Sequence, residues 1–313
     1  MTRTNSNVKG ILFLLLAMLI ISLQSIAVKG LGGSYPVLEM VVLRNLVALP
    51  FTVLFFRLDG KRGLPTTKQF KLEFIRGIFL FLSYTTFMMG LAALPLAEVE
   101  AIRFSGPMMI TVLSVFILGE NVEPVRWLAL IAGFLGVLLV VRPGSASFNI
   151  GSVFILISVL FYALTVMSTR QLQATDSSAT MAYYSSLVYL AAALVLVPIT
   201  IASGEIPNAH PSIAFLFHHW SMPTLLDGII MCGLGLVWAG WTYFMARAYS
   251  LAQASVAAPF EYLSLPLNVM WGFTIWRETP TLLTWAGACL TLLSGIFIMY
   301  RERITTRVDL ERL

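Results

Sequence analysis

The sequence predicts an all-α integral membrane protein: ten transmembrane helices built as two inverted five-helix repeats. Three observations carry this. Of 313 residues, 58% are hydrophobic and only 11% charged, whereas soluble domains run at about a quarter charged. Apolar runs close to the roughly 20 residues that cross a bilayer recur along the whole length. The two halves of the chain also resemble one another when aligned, which points to an internal repeat.

Taken in order, the expected spans are Gly10–Val28, Pro36–Phe56, Phe74–Leu94, Leu96–Leu118, Trp127–Val141, Gly151–Thr169, Thr180–Ile201, Leu226–Ala248, Ser255–Trp276 and Thr281–Tyr300. The first apolar run is longer than the roughly 7–15 residues of a signal-peptide core and lacks a small-residue cleavage site, so it reads as a true span. A tight turn at Pro95 separates the third span from the fourth. The longer loops are the basic stretch Arg57–Glu73 and the stretch Ala202–Met222, which has no Lys or Arg. Arg3, Lys9, Arg57, Lys61, Arg62, Lys68, Lys71, Arg126, Arg170, Arg247 and the arginines of the C-terminal tail fall on one side. Only Lys29, Arg142 and Arg277 end spans on the other. The positive-inside rule therefore expects both termini in the cytoplasm. The formal charge of +5 belongs to these loops; no basic patch interleaved with exposed aromatics points to nucleic acid. Cys232 and Cys289 sit inside spans and suggest no disulfide framework.

The repeat is read by setting Gly10 against Gly151, which pairs Phe13 with Phe154, Leu15 with Leu156 and Lys29 with Arg170. Further on an offset of 158 pairs Gly77 with Gly235, Glu120 with Glu278 and Trp127 with Trp285. The expected units are residues 1–145, with spans one to five, and residues 146–313, with spans six to ten and a basic cytoplasmic tail. Five spans per unit force the units to lie upside down to each other, the plan of many secondary transporters. Two stretches repeat one layout. Leu96–Glu120 carries Glu98, Glu100, Arg103, a kinking Pro107 and a terminal Glu120; Ala254–Glu278 carries Glu261, a kinking Pro266 and Glu278.

Arg44 in the second span, the proline and then Gly-Glu of the fourth span, and GFLGVLLVVRPG (Gly133 to Gly144) closing the fifth resemble the drug/metabolite transporter superfamily, EamA type. The resemblance covers nearly the whole chain and implies two EamA-type repeats around a central cavity, with alternating access for a small metabolite. The second copy departs from the pattern, having Trp276-Arg277-Glu278 for Leu118-Gly119-Glu120 and no arginine matching Arg44. The cavity is therefore expected to be asymmetric.

Charges within spans are costly and normally face a bundle interior or a water-filled path. Lys29 with Glu278 at one mouth, and their repeat mates Arg170 with Glu120 at the other, are expected to be alternately made closing contacts. The plain alternative is that these side chains snorkel into headgroups. Arg103 and Glu261 hold equivalent positions with opposite charge, as a switchable pair, as a binder of a zwitterion, or as a fixed link between helices. Glu261, Ser264, Asn268 and Trp271 form one polar stripe at helical spacing, and Ser158, Tyr162, Thr165 and Thr169 another; such stripes line paths or serve as interhelical glue. Glu261 is also the carboxylate expected to exchange a proton with the cycle. Tyr84, Phe87, Trp238, Trp241 and Tyr243 form an aromatic group, with Trp238 read as an interfacial residue and Trp241 as deep enough to stack on a substrate. Arg44 needs a partner, with Glu39, Glu98 and Glu100 as candidates.

His210, His218 and His219 share one loop without a carboxylate or Cys at ligand spacing, so no metal is expected; PSIAFLFHHWSM there reads as an interfacial amphipathic piece. Gly233-x-Gly235 lacks a preceding strand and reads as helix packing, not nucleotide binding. No ATP motif or other cofactor signal is present. No His lies in a span to build an intramembrane nucleophile–base set, so the chain is not expected to be an enzyme. The mixed charge of Arg44, Arg103, Glu98, Glu100 and Glu261 favours a small polar or zwitterionic substrate such as an amino acid, a nucleoside-like compound or an S-adenosylmethionine-like compound. Movement would be proton-coupled or by exchange across a bacterial inner membrane. The rival is export of aromatic or quaternary cations. Small residues Ala132, Gly133, Gly136, Ala286, Gly287 and Ala288 allow close packing within the chain or in a homodimer.

Overall fold

The computed structural model describes residues 3–31, 34–58, 60, 62–118, 124–144, 148–172, 175–251 and 264–311. Twelve helices run through them: α1 (Arg3–Leu31), α2 (Val37–Leu58), α3 (Phe70–Leu91), α4 (Leu96–Arg103), α5 (Gly106–Leu118), α6 (Pro124–Val141), α7 (Gly151–Leu172), α8 (Ser178–Ser203), α9 (Pro211–Phe217), α10 (Leu225–Leu251), α11 (Ser264–Trp276) and α12 (Leu282–Glu311). Among the described residues no strand occurs. Helices are what the sequence composition demands, since only a helix or a closed barrel satisfies every backbone N–H and C=O within hydrocarbon.

Seven of these segments are long and apolar enough to cross a bilayer, from Lys9–Leu31 to Leu225–Met245, and Trp127–Val141 and Leu282–Ser294 are shorter apolar helices. The protein is a multi-pass integral membrane protein. The expected fourth span is two helices, α4 and α5, broken at Phe104–Ser105. Pro107 supplies the reason: without an N–H it cannot bond to the carbonyl one turn back, so the helix restarts around it, with proline in the first turn where it is tolerated. Its ring, and that of Pro266 in α11, lie outside the described side chains. The last helix continues through the basic tail to Glu311, past the expected end at Tyr300.

Packing follows a repeated pattern. The α3 helix lies along α7 as α1 lies along α10; α2 crosses α8, and α6 runs against α12. Glycines set the close approaches. A Cβ on Gly77 would sit 2.6 Å from Val188 Cβ, and one on Gly235 would sit 2.8 Å from Val47 Cβ and 2.4 Å from the Arg44 carbonyl oxygen. Gly77 and Gly235 are sequence-repeat mates, and so are Val47 and Val188, so one contact is made twice. Between α6 and α12 the backbones nearly touch at Gly136 and Gly287, and Thr291 Oγ1 donates to the Gly133 carbonyl at 3.3 Å. Gly133, Gly136 and Gly287 are thus used in packing within the chain. Gly233, by contrast, faces open space.

The segment after α8 does not simply lie on a surface. His210 Nδ1 accepts from the Ser212 N–H at 3.3 Å and caps α9; Phe215, 2% exposed, is driven into the core. Glu205 Oε1 pairs with His218 Nδ1 at 2.8 Å and accepts from the His219 N–H at 3.0 Å.

Two outcomes follow. Gly235→Ala is expected to destabilise by about 1–3 kcal/mol through overpacking, while Gly240→Ala on the same helix, which meets no atom within 4 Å, should not. Thermal unfolding of the two purified variants decides it. The His219 N–H and the His218 ring hold the Glu205 carboxyl below its usual 4.5. A carboxylate depressed on folding adds stability that is present above its ordinary range and lost as pH falls through its lowered value. Residues 204–220 should therefore become protease-sensitive under acid before the helices do, and Glu205→Gln should be sensitive already at neutral pH.

Candidate functional site

The site begins with Arg44 on α2, which is fully buried. Its guanidinium carbon lies 3.9 Å from the ring centre of Tyr84 on α3, 4.5 Å from Trp238 on α10 and 5.3 Å from Tyr189 on α8. Gly235 makes this possible: it brings α10 against the Arg44 backbone, and Trp238 follows one turn on. Desolvated cation–π contacts are worth up to about 2 kcal/mol or more. They do not replace hydrogen bonds, and among the described residues Nε, Nη1 and Nη2 have no hydrogen-bond partner. Each buried polar group left unpaired costs about 1–3 kcal/mol, more for a charged one. The cage offsets only part of that cost, and a carboxylate supplies what is missing, since it accepts from guanidinium in two parallel bonds. Tyr84 Oη and Trp241 Nε1, the latter ring 5.4 Å from Trp238, are buried and likewise lack an acceptor among the described residues. None of Glu39, Glu98 and Glu100 is recorded as Arg44's partner.

Adjoining this cluster, Arg103 at the end of α4 reaches back one turn to Glu100 at 2.7 Å and lies over Phe87 at 5.0 Å. Glu100, 2% exposed, takes a second bond from Ser264 Oγ at 3.1 Å. The described partner of Arg103 is thus on its own helix. Glu261 lies outside the described residues. Asn268 is buried, donates to the Ser264 carbonyl at 3.1 Å, and its Oδ1 is unpaired among the described residues; Trp271 Nε1 reaches Ser22 at 3.3 Å.

At one end of the bundle Lys29 and Glu278 form an ion pair. Lys29 Nζ also donates to the Leu94 carbonyl at 3.0 Å, and Glu278 Oε2 accepts from the Leu96 N–H at 3.0 Å. Glu278 therefore sits on the N-terminus of α4, where an unpaired N–H and the helix dipole favour an anion. Arg277 turns the chain there, at φ 57°, and Gly272 leaves room, since a Cβ would lie 3.0 Å from Glu278 Oε2. Glu98, with Thr284 at 3.4 Å, lies beside this cluster. Glu120 and the Arg170 side chain lie outside the described residues.

At the opposite end Arg76 on α3 donates to Thr169 Oγ1 at 2.7 Å, Ser185 Oγ at 2.6 Å and the Met181 carbonyl at 3.0 Å, joining α3, α7 and α8. Tyr162 is 37% exposed and belongs near Arg76, not with the Arg44 cage.

Of the sequence-expected residues, the structure assembles Arg44, Tyr84 and Trp241 in one cluster. It places Arg103 and Asn268 in an adjoining one and Lys29, Glu278 and Glu98 at one end of the bundle. Sequence reasoning missed Tyr189, Arg76 and Glu73, and left Trp238 as an interfacial residue of the aromatic group. Trp238 is 5% exposed and packs beside Arg44 and Tyr84. The signal available was its spacing, one turn beyond a packing glycine.

The EamA-like transporter family model matches residues 8–142 and again 149–300. The chain belongs to that family. Among EamA-like relatives, it is 26% identical over 298 residues to a Rickettsia prowazekii S-adenosylmethionine uptake transporter, covering 94% of this chain and 93% of that one. It is 27% identical to a Pseudomonas aeruginosa pseudopaline exporter over 92% and 94% of the two chains. A Vibrio cholerae riboflavin transporter is 25% identical over 87% and 86%. A solved crystal structure superposes with a TM-score of 0.63 at 15% identity, covering 96% and 99%, which shows the fold alone. This EamA-like protein is a transporter of a small metabolite.

If the Lys29–Glu278 contact is a closing contact, Lys29→Glu or Glu278→Lys alone should lower stability. The double reversal should recover part, with a coupling of about 0.5–3 kcal/mol. Recovery stays partial because the reversed pair cannot satisfy the Leu94 carbonyl and Leu96 N–H. Equal stability of all three variants and the parent by thermal unfolding would mean that these side chains only snorkel.

Proposed function

We propose that the protein moves a small zwitterionic metabolite bearing a carboxylate, of the amino-acid or S-adenosylmethionine type, by alternating access between inverted units 1–145 and 146–313. The observation that carries this is Arg44: a buried guanidinium, ringed by aromatics, whose three nitrogens have no hydrogen-bond acceptor among the described residues. The carboxylate docks on Arg44. A cationic or heteroaromatic part stacks on Trp241 and approaches Glu100, with Glu261 and Asn268 on the neighbouring stretch of the path. The S-adenosylmethionine uptake relatives transport such a molecule, which supports the reading. Export of aromatic quaternary cations fits less well, because the aromatic cage already holds a cation of its own.

In this scheme both termini are cytoplasmic, the Lys29–Glu278 end faces outward, and the protein sits in the inner membrane. Closing contacts at that mouth and at the Arg170–Glu120 mouth alternate, and the cycle is driven by protons or by exchange.

The test is a thermal-shift screen of the purified protein against amino acids, nucleosides, S-adenosylmethionine, riboflavin and quaternary amines, with Arg44→Lys and Glu261→Gln in parallel. A ligand at 100 times its Kd adds about 2.7 kcal/mol. A carboxylate-bearing zwitterion should raise the melting temperature, its methyl ester should not, and Arg44→Lys should abolish the shift, since lysine lacks the planar fork. Quaternary amines acting as strongly, with no effect of Arg44→Lys, would favour the cation reading.

A further inference from the structure

We propose that Glu73 is a proton-binding site whose charge governs the Arg76-centred junction of α3, α7 and α8, and so couples the bundle to a proton gradient. This deepens the proton-driven form of the cycle proposed above and rests on it. The Glu73 side chain has no exposed surface, and neither carboxylate oxygen has a hydrogen-bond partner among the described residues. Carboxylates used structurally in such places cap an N–H or take a bidentate guanidinium. Glu73 does neither. Its nearest cation among the described residues is Arg76, whose Nη1 lies 3.7 Å from Oε2 and donates to Ser185 and the Met181 carbonyl, while Nε donates to Thr169.

The other groups facing this pair are few. Asp176, from the connection between α7 and α8, carries a charge felt at Glu73, and its Oδ2 accepts from Thr67 Oγ1 at 2.6 Å. Tyr162 on α7 and Tyr189 on α8 face Arg76. Glu73 thus has no hydrogen-bond donor among the described residues to hold its charged form, and a single proton changes the charge that Arg76 faces.

Ionised Glu73 compensates the Arg76 charge and the three-helix junction stays closed. Proton uptake leaves Arg76 an uncompensated cation within packed helices, which is costly, and the junction loosens. The α3 helix carries the change inward, because Glu73, Arg76, Leu80, Tyr84 and Phe87 follow at three- and four-residue intervals on one face. Leu80 accepts from Tyr189 Oη at 2.5 Å, Tyr84 and Tyr189 face Arg44, and Phe87 faces Arg103. A shift of α3 at its proton-binding end therefore reaches both arginines of the candidate site.

The experiment is hydrogen–deuterium exchange on the full-length purified protein without substrate, corrected for intrinsic rates, at about pH 8 and about pH 5, a range that covers ordinary and perturbed carboxylates. In the parent, residues 165–188 should lose at least about tenfold protection at the lower pH. Glu73→Gln should show the low-pH pattern at both values while α6 and α12 exchange as in the parent. Asp176→Asn should keep the parent response. A parent-like response in Glu73→Gln, or its loss in Asp176→Asn instead, overturns the site. In proteoliposomes with S-adenosylmethionine as probe, Glu73→Gln should retain counterflow and lose accumulation driven by a pH gradient. Undiminished accumulation overturns the coupling. A parent that does not move the probe overturns that substrate choice, and the exchange experiment then decides the proton site by itself.

Discussion

A guanidinium buried in a packed helical bundle has little water to answer it, and Arg44 and Arg76 are placed so, with the half-exposed Arg103 adjoining the Arg44 cluster. Arg76 is answered by hydroxyls and a carbonyl from two other helices, Arg103 by a carboxylate one turn back on its own helix. Among the described residues Arg44 meets ring faces and no hydrogen-bond acceptor. The first two are complete local solutions and serve as joints. The third leaves strong donors open at the place where four helices meet, and an open donor in a dry site is where a ligand's acceptor is worth most.

These arginines are placed by glycines. Where Gly77 lets α3 approach α8, Gly235 lets α10 approach α2, and the same valine positions receive them. The two approaches differ in what they bring. Beside Val47 lies Arg44; the position matching Arg44 beside Val188 is Ser185, which accepts from Arg76. One backbone contact, made twice, thus carries an arginine ringed by aromatics at one place and an arginine tied to hydroxyls and a carbonyl at the other. That asymmetry within a symmetric frame suits a carrier whose two ends open in turn to a site that is not itself symmetric.

The end of the bundle joined by Lys29 and Glu278 obeys the same economy of unpaired groups. The lysine also holds the Leu94 carbonyl and the glutamate also holds the first N–H of α4, so the ion pair spans the turn around Pro95 as well as α1 and α11. Breaking it frees backbone groups together with the charges.

The helical membrane class, the break near Pro107 and the family were legible in the sequence because they depend on hydrophobic run length, on proline's missing N–H and on residue identity at fixed offsets. Arg44, Tyr84, Trp241, Lys29 and Glu278 were legible as chemistry, since charge and aromaticity at membrane depth are rarely idle. Their partners were not. Whether Arg44 meets Glu39, Glu98, Glu100 or a ring, and whether Trp238 faces lipid or the core, depends on the rotation of each helix about its axis. Periodicity shows which residues of a helix share a face; only packing against the other helices decides what that face meets. Tyr189 and Glu73 went unread for the same reason, being ordinary residues made significant by neighbours more than a hundred positions away or by the lack of any acceptor or donor at hand.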